Sequence, residues 1–143
     1  MADIPDKEVQ AFFESYRSAF EKRDAPAVAL HFRFPLHLTG DAGQVTTVVV
    51  PTIDAWRPQL ERLLGAYQQF GVSTAEALSS QITRFSPRLV LAAIKWRLVN
   101  EAGAPVYEFE ATYTLAQSDD GLKVVAIAHN EQLRAREAMA KKS

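Results

Sequence analysis

The chain has no cysteine among its 143 residues, which excludes a disulfide framework, a thiolate nucleophile and a cysteine metal site and leaves stability to packing. Charge of one sign is just as scarce. Sixteen basic and 17 acidic residues give a net charge of -1, with no overall field to gather nucleic acid or an anionic membrane. No stretch approaches the ~20 apolar residues of a membrane-spanning helix, and the N-terminus, MADIPDKEVQAFF, is acidic where a secretory signal needs positive charge. A soluble cytoplasmic protein is the expectation. There is no glycine-rich phosphate loop and no nucleophile elbow. His31, His37 and His129 share no helical i, i+4 spacing and no adjacent carboxylates, so neither a metal site nor a cofactor is expected. At this length the chain forms one domain, 1–143.

What the chain does have is alternation. In RLVLAAIKWRLVNEAGAPVYEFEATYTLA, residues 88–116, one row holds Val90, Ala92, Ile94, Trp96 and Leu98, and a second holds Tyr107, Phe109, Ala111, Tyr113 and Leu115. Folding the segment about Ala102-Gly103 sets Trp96 opposite Phe109 and Ile94 opposite Ala111. On the other face Lys95 meets Glu110 and Arg97 meets Glu108. A slip of one residue would set apolar against charged rows, so the register of this antiparallel hairpin is well specified.

Taken in order, Val9, Phe12, Phe13, Tyr16, Ala19 and Phe20 recur at helical spacing after Pro5-Asp6. Asp24 caps a second, shorter helix with Pro26 in its first turn, carrying Val28 and Leu30 and ending near Phe32. Residues 34–38 and 44–50 read as a short hairpin across a glycine-rich turn, with Pro35 at an edge or a bulge. A third helix, capped by Thr52 or Asp54, buries Ile53, Trp56, Leu60, Leu63, Leu64, Tyr67 and Phe70 and stops at Gly71. Residues 72–85 read as a long bulged strand, with a short helix at 75–80 as the alternative. After Ser118-Asp119-Asp120-Gly121 comes a last strand, 122–130, and residues 131–143 read as a frayed helical tail. The order is α-α-β-β-α-β-β-β-β, an α+β chain whose strongly curved antiparallel sheet wraps the N-terminal helices as a cone with an interior pocket.

This order, together with FFESYRSAFEKRDAPAVALHF at the N-terminus, resembles the nuclear transport factor 2-like superfamily, in its SnoaL-like and ketosteroid isomerase-like branch, over about residues 7–132. The fold hosts isomerases, cyclases, dehydratases and proteins without known activity. In the ketosteroid isomerases a first-helix tyrosine helps form the oxyanion hole, a strand aspartate donates beside it, and another aspartate moves the proton. Tyr16 matches the tyrosine's place. The proton-moving aspartate would fall where Leu36, His37, Leu38 and Thr39 stand, with Asp41 displaced into the turn. The donor aspartate would fall on the inward row of 90–98, which has no carboxyl group. Steroid isomerisation is therefore not expected.

The candidate ligand-binding residues are Phe13, Tyr16, Trp56, Tyr67, Trp96, Phe109 and Tyr113, around a small apolar organic molecule. The leading expectation is a small-molecule-binding protein. The alternatives are a cofactor-free isomerase, cyclase or dehydratase, in which His37 or His129 moves a proton and Tyr16 stabilises an enolate, and a protein-protein assembly module. A histidine within hydrogen-bond reach of Tyr16 would favour the enzyme, its absence binding, and a plugged pocket assembly. The direction of His129 is open: a three-residue loop at 119–121 turns it inward, a two-residue loop outward. Leu89, Leu91, Ala93, Thr112, Thr114, Val124 and Ala126 share the outer sheet face, an apolar patch that predicts a sheet-to-sheet homodimer.

Overall fold

The hairpin about Ala102-Gly103 forms with the expected register. Trp96 lies opposite Phe109, Ile94 opposite Ala111, Lys95 opposite Glu110 and Arg97 opposite Glu108. Gly103 supplies the positive φ of 83° that the turn requires. Trp96 and Phe109 are buried, 4% and 6% exposed, so the aromatic rows do face the interior. The computed structural model that shows this describes residues 4–142.

Around that hairpin the elements follow the expected order: α1 (Asp6–Glu21), α2 (Ala25–Ala29), β1 (Phe32–Asp41), β2 (Val45–Val50), α3 (Ile53–Phe70), β3 (Thr74–Ser86), β4 (Leu89–Val99), β5 (Pro105–Ser118), β6 (Gly121–His129) and α4 (Glu131–Lys142). The six strands make one curved, unclosed sheet in the order β2-β1-β6-β5-β4-β3. β1 and β6 run parallel, and the other neighbours are antiparallel. Residues 74–86 take the bulged-strand option, with breaks in register beside Leu78 and Phe85. β1 lies inside the sheet, and Pro35, after a cis peptide bond, falls within the break in its pairing with β6, where a missing amide hydrogen costs no ladder bond.

The helices start and stop for local reasons. Asp24 accepts the Ala27 amide at 3.1 Å and Thr52 accepts that of Ala55 at 3.2 Å. Gly71 ends α3 with φ 77°. α1 buries Val9, Phe12, Tyr16 and Ala19, and α3 buries Trp56, Leu60, Leu64 and Tyr67, against the concave face of the sheet. α2 is shorter than expected. It ends at Ala29, Leu30 is exposed, and Phe32 already belongs to β1.

In β6 the loop alternative is decided and one expectation changes. Ser118 pairs with Gly121, so the loop has two residues, Asp119 and Asp120. That loop alone would turn His129 outward, but the strand then bulges: Leu115 pairs with Val124 and Thr114 with Ala126, leaving Val125 unmatched. The extra residue reverses the phase, so Ile127 and His129 return to the concave side. Val124, expected on the outer face, is fully buried opposite Leu115 and belongs to the core. The outer face keeps Leu89, Leu91, Ala93, Thr112, Thr114 and Ala126. Residues 131–142, read as a frayed tail, form α4, and its first residue is hydrogen-bonded to α3 and β5.

Candidate functional site

A cavity of ≈ 110 Å³ lies between α1, α3 and the concave face. Six of the seven candidate ligand-binding residues line it: Tyr16, Trp56, Tyr67, Trp96, Phe109 and Tyr113. Phe13 does not. Nearly one turn before Tyr16 on α1, it lines a separate groove between α1 and β3, and its ring meets Tyr113 edge-on at 5.0 Å. Leu60 and Ala111 also line the cavity.

The catalytic candidates separate. Tyr16 faces the cavity. His129 lines it as well, through the β6 bulge. His37 does not: it lies between Leu36, fully buried, and Leu38, which lines the cavity, so alternation points it to the opposite, exposed side of β1.

Tyr16 and Tyr113 meet edge-on, with ring centroids 5.7 Å apart, and Trp96 Nε1 donates to the Tyr113 hydroxyl oxygen at 2.8 Å. The Tyr113 hydroxyl, accepting from Trp96, still has its own proton to donate. Burial pushes the pKa of both phenols above the usual tyrosine range, so they are neutral donors throughout the physiological range. Trp56 Nε1, in the same wall, is buried without a hydrogen-bond partner.

The group missed in the sequence is Glu131. It lines the cavity, and its Oε2 accepts from the Tyr67 hydroxyl at 2.5 Å and the Tyr107 hydroxyl at 2.9 Å. Burial holds its carboxyl above the ordinary carboxylate range, and the two hydroxyl hydrogen bonds only partly offset that. Its amide donates to His129 Nδ1 at 3.2 Å, which fixes that nitrogen as an acceptor. Burial also lowers the His129 pKa, which agrees with a neutral ring. Strand alternation does not reach Glu131, because β6 ends at His129 and residue 131 begins α4. The charged, alanine-rich composition of 131–143 concealed it.

The positive charge at the cavity wall is already matched. Arg17 donates to both Glu21 oxygens, at 3.0 and 3.3 Å, and Glu21 also accepts the Ala75 amide. The arrangement can seat a small molecule against aromatic walls, donate one hydrogen bond from Tyr113, and present one carboxyl.

The sequence over residues 7–132 matches the family model described as NTF2-like protein (DUF6841). The chain belongs to this NTF2-like family. No curated protein matches the sequence. Among solved structures, this NTF2-like chain is similar to a protein of unknown function with a cystatin-like fold from Nostoc punctiforme, at TM-score 0.71 and 11% identity, covering 91% of this chain and 94% of that one. It is also similar to a putative calcium/calmodulin-dependent protein kinase II association domain from Xanthomonas campestris, at TM-score 0.65 and 12% identity over 90% and 88% of the two chains. A ketosteroid isomerase-like protein from Erwinia carotovora atroseptica aligns at TM-score 0.58 and 17% identity over 87% and 93%. At these identities the likeness shows the fold alone. Among the described residues, no helix of this NTF2-like chain is long and apolar enough to cross a membrane, and no group of His, Asp and Glu is placed to hold a metal ion.

Proposed function

We propose that this NTF2-like protein binds a small, largely apolar molecule in the cavity between α1, α3 and the sheet. The observation that carries the reading is the wall itself: aromatic rings line a space of ≈ 110 Å³, and the Tyr113 hydroxyl, which accepts from Trp96, still has a proton to donate. Size limits the ligand. An engineered cavity of about 150 Å³ takes one benzene, so ≈ 110 Å³ suits a single ring or a short branched chain. A steroid would not fit without displacing the walls.

The proton-transfer alternative, in which Tyr16 works with a histidine, has less support. His37 is on the far side of β1, and His129, though it lines the cavity with Tyr16, has its Nδ1 taken up by the Glu131 amide. A second copy of the chain is the partner we propose for the outer face of β4, β5 and β6, where Leu89, Leu91, Ala93, Thr112, Thr114 and Ala126 form a largely uncharged patch.

Ala111 lies on the cavity wall and is 3% exposed, so Ala111→Leu adds three carbons where the ligand would sit. In a thermal-shift screen of single-ring compounds, the native protein is expected to gain stability with some of them, and Ala111→Leu to gain none while remaining folded. Equal shifts in the two proteins would place binding elsewhere and end this reading.

A further inference from the structure

Glu131 has no counter-ion. Its partners are two neutral hydroxyls on Oε2, and among the described residues no lysine or arginine forms an ion pair with it. The neighbouring cation, Arg17, is taken by Glu21, and His129 is neutral with Nδ1 accepting an amide. A carboxyl taken out of water without a cation is costly, and the rings of Tyr16, Phe20, Trp56, Trp96 and Phe109 line the same cavity. Aromatic faces around one carboxylate are the surroundings that favour an ammonium group, through the ring quadrupoles and a direct ion pair.

We infer that the molecule held in this cavity is a small organic cation, a primary to quaternary amine on a single ring or short branched body, whose charge pairs with the Glu131 carboxylate. This inference rests on the binding reading above and adds the charge of the ligand. The amine sits among the rings with its charge toward Oε1, the oxygen not used by Tyr67 and Tyr107. Its apolar body fills the remainder of the space beside Leu60 and Ala111. The ion pair supplies the counter-charge that the fold leaves out and offsets the cost of burying the carboxylate.

The test compares three probes of nearly equal size, benzylamine, benzyl alcohol and benzoate, by titration calorimetry with the full chain near neutral pH. Benzylamine is expected to bind at least about ten-fold more tightly than benzyl alcohol, with benzoate weakest. Glu131→Gln keeps an oxygen for Tyr67 and Tyr107 but no charge, and it is expected to bring benzylamine and benzyl alcohol to within about three-fold of each other. If benzyl alcohol binds as well as benzylamine in the native chain, the cation is wrong and the cavity reading stands. If none of the three binds, both fall. The native-chain comparison decides the question even if the variant is too unstable to measure.

Discussion

Glu131 and His129 adjoin each other in one wall, and burial moves their proton affinities in opposite directions. Burial lowers the pKa of His129, and of His31 outside the cavity, below 6.5. As pH falls through that range the unfolded chain takes up protons that the folded chain resists, so stability drops on acidification. Glu131 behaves the other way. Its carboxyl is raised above 4.5, so the folded protein keeps a proton that the unfolded chain has already lost, and stability declines as pH rises from 4.5 through the raised value. Urea midpoints from about pH 4 to about pH 8 should therefore lose part of their acid-side fall in His129→Gln, and part of their decline above 4.5 in Glu131→Gln. Profiles parallel to the native one in both variants would contradict the burial assigned to these two side chains. Tyr16, Trp96 and Tyr113 were readable as inward from their periodicity alone. Glu131 was not, because a carboxylate facing a cavity and one facing solvent look the same in a helix that begins at a strand end.

At the level of elements, the hairpin of β4 and β5 was legible because three independent patterns agree: two apolar rows, a complementary charge ladder and a glycine turn. The ladder forms with one change. Arg97 bonds Glu108 at 2.9 Å, but Lys95 reaches diagonally to Glu108 at 3.7 Å, and Glu110 turns to Arg134 and Asn130. β6 was less legible, because alternation cannot show a bulge. The two-residue loop and the unmatched Val125 shift the phase in turn, so His129 comes inward by a route different from either loop alone. Val124 leaves the outer face for the same reason. The remaining outer patch centres on β4 and β5, which makes Leu91 the position to charge. Leu91→Lys is expected to convert a dimer to a monomer in sedimentation velocity at micromolar protein with secondary structure unchanged. A native chain that sediments as a monomer at those concentrations would rule out the second copy on this face.

For the whole molecule, the aromatic residues of α1, α3, β4 and β5 converge on one space without filling it. Architecture was legible because the apolar periodicity of every long element selects one face, and those faces fit together only as a helix-covered, curved sheet. The cavity's chemistry was less legible, since it depends on which of several exposed-looking polar residues the curvature turns inward. The two tryptophans, Trp56 and Trp96, both line the cavity and differ in state, one indole unpartnered and the other bonded to Tyr113. A proton–nitrogen correlation spectrum of the two indole N–H groups during titration with benzylamine or benzyl alcohol therefore tests the central claim most directly. The account predicts that both indole signals shift along one saturating curve. Unmoved indole signals, with backbone signals elsewhere shifting instead, would contradict a ligand-holding cavity at this place in the fold.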